Sequence, residues 1–277
     1  MNRLFRLATA ASLTLLGVVG CGGSTEKVSA LQIVATSGGT LTAGVGDALQ
    51  LSVKELRADG TTAALPASAR IAWSGIPTAA ALDPSSMSAS PFPATGAAPT
   101  AFFVANASRS DHATDLAGVV FVLDAGTNGA GTITVNANVS GVSGVTQATA
   151  TVAITGAPSG DAAHGKTVYA SSCASCHGDS GAGSPTVAGS TTMFSLEGKT
   201  YDYPAPGLNA ADGNVASDPD WSAALFAISS RADLDNDGLT LRSPMPDWVS
   251  DSDPTTHQQL TTQDFYDIYA FMATQTQ

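Results

Sequence analysis

The residues best suited to chemistry are two cysteines and a histidine in one short run, Cys173-Ala174-Ser175-Cys176-His177. Two thiols at this spacing can form thioether bonds with the two vinyl groups of one haem, and the adjacent imidazole can then bind the iron. The run therefore predicts one covalently attached haem c, held by Cys173, Cys176 and His177.

Two other uses of a CxxC pair fit this chain less well. A redox pair of the thioredoxin type follows a strand and opens a helix, whereas the pattern here predicts a helix before the motif and a glycine-rich loop after it. A zinc site would need a second ligand pair. The only cysteine besides Cys173 and Cys176 is Cys21.

An acidic run between residues 233 and 238 has the spacing of the start of a calcium loop, with carboxylates at Asp233, Asp235 and Asp237. The twelfth position of such a loop carries a bidentate glutamate, but here it is Pro244. The run therefore favours a solvated acidic turn, although an incomplete weak calcium loop could recruit Asp247 or Asp251.

Three helices are predicted around the haem motif, after a boundary at residues 156–160 where the strand period stops. The first runs from Asp161 to Ser171. The second is capped by Ser217 or Asp218 and has apolar residues at core spacing as far as Ile228. The third begins at Thr261, where an acidic residue three positions on forms a capping-box pattern.

The region before that boundary alternates apolar and polar residues over short runs, which is the period of half-buried strands. Turn signals such as Ala58-Asp59-Gly60 and Asn128-Gly129 separate these runs. A β-sandwich is therefore predicted, with strands at Leu49–Lys54, Ile71–Trp73, Phe102–Val104, Val119–Leu123, Ile133–Val139 and Ala148–Ile154.

This region resembles the bacterial immunoglobulin-like domains of exported proteins, which act as spacers or adhesion modules. The resemblance covers most of residues 28–156. It departs at Pro77–Pro99, a stretch rich in Ala, Ser and Pro that predicts an irregular loop. The matching motifs are Gly46-Asp47, Leu49-Gln50-Leu51, Asp59-Gly60-Thr61-Thr62, Ala72-Trp73-Ser74 and Gly131-Thr132-Ile133-Thr134-Val135.

Residues 160–275 resemble the class I c-type cytochromes, with Gly165-Lys166-Thr167-Val168-Tyr169 before the motif and Gly178, Gly181 and Gly183 after it. The resemblance implies a small helical domain wrapped around haem. Its first and last helices would cross through Gly165 and Phe271.

The same resemblance implies the sixth iron ligand and one supporting residue. Met245, in Ser243-Pro244-Met245-Pro246, matches the family's Met-Pro loop, and a thioether is a neutral ligand that favours ferrous iron. Pro185 matches the proline whose carbonyl orients the ligand imidazole. The competing ligands are Met193, Met272, which fits a helix core, and His257.

The N-terminus has the plan of an export signal, with Arg3 and Arg6 before an apolar run that ends at Val19. The run Val18-Val19-Gly20-Cys21 resembles a lipobox, so Cys21 is the expected lipidation site. We therefore expect a signal peptide at residues 1–20 and a tether at 21–27. The position after Cys21 is Gly22, whereas an aspartate at that position would resemble an inner-membrane retention signal. We therefore expect the protein at the outer membrane, on its periplasmic or surface face.

The formal net charge of −12, or −14 without Arg3 and Arg6, argues against a nucleic-acid partner. Residues 157–277 hold 15 acidic and 4 basic side chains, so their expected partners are redox proteins with basic docking faces.

These features predict two domains, an all-β immunoglobulin-like sandwich at 28–156 followed by an all-α cytochrome c domain at 157–277. The predicted function is single-electron transfer by a lipid-anchored carrier that is not itself an enzyme, though it could serve a dehydrogenase or oxidase. One alternative is a haem enzyme or gas-binding protein with an open sixth position. Another is an adhesion or assembly module with an incidental haem.

Overall fold

The computed structural model describes residues 28–79, 92–104, 118–183, 194–196, 199–201, 208, 210–211, 214–232, 234 and 259–275. The predicted signal peptide and tether, residues 1–27, therefore lie outside the described residues. In the part of the chain that is described, no helix has the length and apolar character needed to span a membrane.

In the N-terminal region, the described residues form ten strands in two sheets. The first sheet has the order β1-β3-β8-β7-β6, and β4 pairs with the outer part of β3. Its strands are β1 (Val28–Ala35), β3 (Ala48–Arg57), β4 (Thr62–Ala64), β6 (Thr78–Ala79), β7 (Thr100–Val104) and β8 (Val119–Asp124).

The second sheet has the order β2-β10-β9-β5. Its long antiparallel pair, β9 with β10, places Ile133 opposite Val152. The strands are β2 (Thr42–Gly44), β5 (Arg70–Ser74), β9 (Gly131–Ser140) and β10 (Gln147–Thr155). The two sheets form the predicted sandwich, because the inward residues of both belong to one buried cluster that includes Leu51, Val120 and Val135.

All six strands predicted for this region are present, with ends that differ by a few residues. The predicted irregular loop at Pro77–Pro99 is only partly described, since residues 80–91 lie outside the described ranges. Its beginning is not irregular, because Thr78 and Ala79 form β6, which pairs in parallel with β7.

The C-terminal region is helical, with α1 (Ala162–Ser172), the single turn α2 (Ala174–His177), α3 (Ala223–Ala232) and α4 (Thr262–Met272). The prediction of an all-α domain missed one short antiparallel hairpin, β11 (Phe194–Leu196) with β12 (Lys199–Tyr201). The capping box at the start of α4 is confirmed, since the Thr261 hydroxyl accepts from the Asp264 N–H and the Asp264 carboxylate accepts from the Thr261 N–H.

The predicted start of the second helix is wrong. Asp218 closes a separate turn, in which its side chain accepts from the N–H of Asp220 at 2.9 Å. The helix begins after this turn, where the Ser222 hydroxyl accepts from the N–H of Leu225 at 3.1 Å. Ser222 therefore caps the helix in place of Ser217 or Asp218.

The two regions pack against each other through α3. Every residue from Ala224 to Ala232 is buried, so this helix has no exposed face along that stretch. Ile228 and Ala232 share a buried cluster with Phe102 of β7 and Phe121 of β8. The outer face of the first sheet is thus a packing surface for the helical domain.

Candidate functional site

The helix before the haem motif is fixed by a close crossing of α1 over α4. A Cβ atom added to Gly165 would lie 1.8 Å from the Asp267 carbonyl oxygen and 2.8 Å from the Ile268 nitrogen. Only a hydrogen fits there, which confirms the predicted crossing at Gly165. One turn later, the Tyr169 ring packs on Phe271 with 5.3 Å between centroids.

The haem motif forms one helical turn directly after α1. Cys173 ends α1 and begins α2, and its carbonyl oxygen accepts from the N–H groups of Cys176 at 3.2 Å and His177 at 3.0 Å. Residues three and four apart share one side of a helical turn. Cys173 therefore shares one side of the turn with Cys176 and with His177, which are three and four residues on. His177 is 8% exposed, and both cysteines are half-buried.

Tyr169 ties this turn to the helix crossing. Its hydroxyl donates to the carbonyl oxygen of Gly178 at 2.7 Å, immediately after His177. Burial raises the pKa of Tyr169 far above its usual range, so the hydroxyl stays a donor at neutral pH. Gly178 has φ 77°, which suits glycine, and it turns the chain out of α2.

These residues fit haem c. Both Cys173 and Cys176 are thiols that form no disulfide, as thioether attachment requires. They lie on one turn with an imidazole adjacent to the second, which is the ligand arrangement of c-type attachment. Among the described residues, no three His, Cys, Asp or Glu side chains converge in a way that would hold a bare metal ion.

A polar cluster on the other side of α1 strengthens the crossing. The Asp267 carboxylate, on α4, accepts from the Asp161 N–H at 2.6 Å and from Gln263 at 2.7 Å, and it bonds His164 Nδ1 at 2.7 Å. Although burial alone raises the pKa of Asp267, these hydrogen bonds lower it. The hydrogen bond to Asp267 raises the pKa of His164, which is half exposed.

Several predicted site residues cannot be placed. Cys21, Pro185 and Met245 lie outside the described residues, as do the acidic positions Asp233, Asp235 and Asp237. The competing ligands Met193 and His257 lie outside them too. Met272 is described and is fully buried in the core cluster, which confirms its interpretation as helix core.

Sequence reasoning missed the supporting roles of Tyr169 and Asp267. In the sequence, Tyr169 is only one member of the motif Gly165–Tyr169 that carries the cytochrome resemblance, and its hydrogen bond to Gly178 depends on how the chain turns after His177. Asp267 was not identified. Little in the sequence indicates that Asp267 is buried, since an acidic residue in an amphipathic helix is normally solvent-exposed.

Comparison with known families identifies the C-terminal domain. Residues 162–276 match the model of the family described as Cytochrome c. The chain therefore carries a cytochrome c domain behind an N-terminal β-rich region, as the sequence predicted, and this domain supports the binding of haem in the manner of c-type cytochromes. No curated protein and no solved structure gives a significant match to the chain.

Proposed function

We propose that this protein is a mono-haem electron carrier, anchored by lipid at Cys21, which passes single electrons between redox partners of the periplasm or outer membrane. The observation that supports this best is the α2 turn, in which the N–H groups of Cys176 and His177 both bond Cys173, directly after the helix α1 that Gly165 fixes against α4. When bound there, haem supplies an iron that gains or loses one electron. The chain contains one such motif, so we expect one haem per chain.

In this function the residues of the chain would hold and orient the haem. Cys173 and Cys176 would retain haem covalently, and His177 would bind the iron from one side. The bond from Tyr169 to Gly178 fixes the backbone beside that histidine. A firmly held ligand suits electron transfer, because little has to move when the charge on iron changes.

The sixth ligand separates the carrier from the haem enzyme or gas-binding protein. We expect that Met245 would be the second protein ligand of the iron, so the ferric protein should show the weak sulfur-to-iron absorption band in the far red. Met245→Ala should abolish this band and allow the ferrous protein to bind carbon monoxide, because an open position replaces a thioether.

Met193→Ala is the matched control, since Met193 is the competing methionine that does not fit a helix core. This variant should keep the band and exclude carbon monoxide. Loss of the band in Met193→Ala would move the ligand assignment to that residue. Ready binding of carbon monoxide by the wild type would favour the open-site alternative.

The proposed partners are redox proteins with basic docking faces, because residues 157–277 carry 15 acidic side chains against 4 basic ones. Screening shortens such attraction to about 10 Å at 0.1 M salt. The second-order rate with a basic redox protein should therefore fall by about tenfold or more between roughly 10 mM and 0.15 M salt. Stopped-flow measurement tests this expectation.

A small neutral reductant is the control for that measurement, because its rate should change little with salt. If the rate with the basic partner is equally indifferent to salt, the acidic surface does not steer docking.

A further inference from the structure

Three tyrosines lie on α1 and α4, and their hydroxyl groups differ in what they bond. The Tyr266 hydroxyl is buried and has no hydrogen-bond partner among the described residues. The Tyr269 hydroxyl makes a long bond of 3.3 Å to the carbonyl oxygen of Trp221. Tyr169 is 1% exposed, and its hydroxyl donates to the Gly178 carbonyl oxygen at 2.7 Å. Of the three, only Tyr169 bonds the loop that follows the haem motif.

The backbone of His177 and Gly178 is hydrogen-bonded at each of its polar groups. Four bonds of 2.9–3.1 Å join these groups to backbone groups of the same short stretch, which belong to Cys173, Ala174, Gly181 and Gly183. The bond from the Tyr169 hydroxyl is a fifth, and it is the only one of the five that comes from outside residues 173–183. Tyr169 therefore ties the backbone of the iron ligand to the body of α1.

The position of this hydroxyl is determined by the helix crossing. Gly165 meets the Asp267 carbonyl oxygen of α4, from which an added Cβ would lie 1.8 Å. One turn further along both helices, the Tyr169 ring packs on Phe271 with 5.3 Å between centroids. Residues four apart share one face of a helix, so both contacts belong to one crossing. The place of the Tyr169 hydroxyl therefore depends on how α1 lies on α4.

We propose that Tyr169 is the positioning residue through which the crossing of α1 and α4 determines how firmly His177 binds the haem iron. Cys173 and Cys176 would keep the turn attached to haem in any case, so the strength of the histidine bond depends on the backbone that carries it. The bond from Tyr169 opposes the movement of that backbone by which His177 would leave the iron. This inference rests on the haem attachment of the proposed function, but not on the identity of the sixth ligand.

Amide hydrogen exchange of the full-length holoprotein measures the effect on the backbone. Tyr169→Phe removes the hydroxyl but keeps the ring in the crossing. The Gly181 N–H bonds the Gly178 carbonyl oxygen at 3.1 Å and reports opening of the loop. It should exchange about fivefold faster, as expected for the loss of one hydrogen bond. The Ala273 N–H, at the end of α4, should exchange at the wild-type rate, because the crossing itself remains.

Tyr266→Phe is the matched control. It makes the same chemical change at a buried hydroxyl that has no partner in the described part of the chain. Its Gly181 N–H should exchange at the wild-type rate. If Tyr169→Phe and Tyr266→Phe exchange equally at Gly181, the hydroxyl does not hold the loop, and the proposal is overturned.

Nitric oxide tests the consequence for the iron ligand. It weakens the bond between iron and the ligand on the opposite side, so the share of ferrous protein that loses its histidine measures how firmly that histidine binds. The electron paramagnetic resonance signal of five-coordinate nitrosyl haem reports this share. The ratio of molecules without the histidine bond to molecules with it should rise about fivefold in Tyr169→Phe and stay unchanged in Tyr266→Phe. An unchanged ratio in Tyr169→Phe would refute the role of Tyr169 in ligation.

A double-mutant cycle tests whether the crossing acts through this hydroxyl. Phe271→Leu shrinks the side chain on which the Tyr169 ring packs, so it should also raise the nitric oxide ratio. In the Tyr169→Phe background the same change should have much less effect, because the hydroxyl that transmits it is absent. Equal effects in the two backgrounds would mean that the crossing reaches His177 by another route, contrary to the proposal.

The proposed carrier function can fail separately from this inference. If the wild type binds carbon monoxide readily, an open-site haem protein becomes the better assignment, but His177 is an iron ligand in both cases. The comparison of Tyr169→Phe with Tyr266→Phe then still decides whether Tyr169 positions that ligand.

Discussion

Replacement of both Cys173 and Cys176 by serine should remove all covalently bound haem from this protein. Serine keeps the size of each side chain, but its hydroxyl does not add to a haem vinyl group, so His177 would be left to bind any haem without a covalent link. Denaturation breaks that coordination. The double variant should show no haem stain on a denaturing gel and a mass equal to the polypeptide alone.

Cys21→Ser is the control for this experiment, because it removes a thiol from the same chain without touching the α2 turn. It should retain one covalent haem and lose only the proposed lipid. Each single variant, Cys173→Ser or Cys176→Ser, should keep haem through the remaining thioether. Covalent haem in the double variant would show that attachment occurs at another residue.

Gly165→Ala should destabilise the helical domain although alanine is the better helix former. In an exposed helix this change stabilises by about 1 kcal/mol. Here the new Cβ atom would lie 1.8 Å from the Asp267 carbonyl oxygen, so α1 and α4 must separate. We expect a loss of about 3 kcal/mol in the free energy of unfolding, at the upper end of the cost of overpacking.

The corresponding fall in Tm is roughly 6–12 °C for a chain of this size. Calorimetry of the holoprotein measures it. Gly96→Ala is a suitable control, because no atom lies within 4 Å of its added Cβ and its effect should be small. A gain in stability for Gly165→Ala would mean that the two helices do not cross at this glycine.

The sandwich was predictable strand by strand because most of its strands bury one face and alternate accordingly. Val119–Val122 and Ala101–Val104 do not alternate, and every residue in these stretches is buried. A continuous apolar run predicts a strand covered on both faces. The sequence therefore contained a signal that something packs outside the first sheet. It did not identify α3, because the partner of a buried face is determined by tertiary contacts.

The haem motif was predictable because its chemistry requires adjacent residues in one order. The start of α3 was mispredicted because Asp218 and Ser222 are both good caps, and the local sequence does not distinguish the residue that caps a helix from the one that closes a turn. The contacts of Arg231, which donates from α3 to the carbonyl oxygens of Gly46 and Leu260, had no local signal. Both partners are distant in sequence, and each offers a backbone carbonyl that any residue could supply.

Because α3 is buried along its length between the sandwich and the helical domain, the haem domain cannot behave as if it hung on a loose linker. A haem domain on a loose linker would turn independently and present its haem in many directions during one encounter. Here Gly160, between the last strand and α1, approaches the Tyr266 carbonyl so closely that an added Cβ would lie 2.6 Å from it. Because α3 is buried against the first sheet and Gly160 lies against α4, turning of the helical domain relative to the sandwich would have to break these contacts. A partner that docks at the α2 turn therefore meets the haem domain and the sandwich in the single arrangement that these contacts favour.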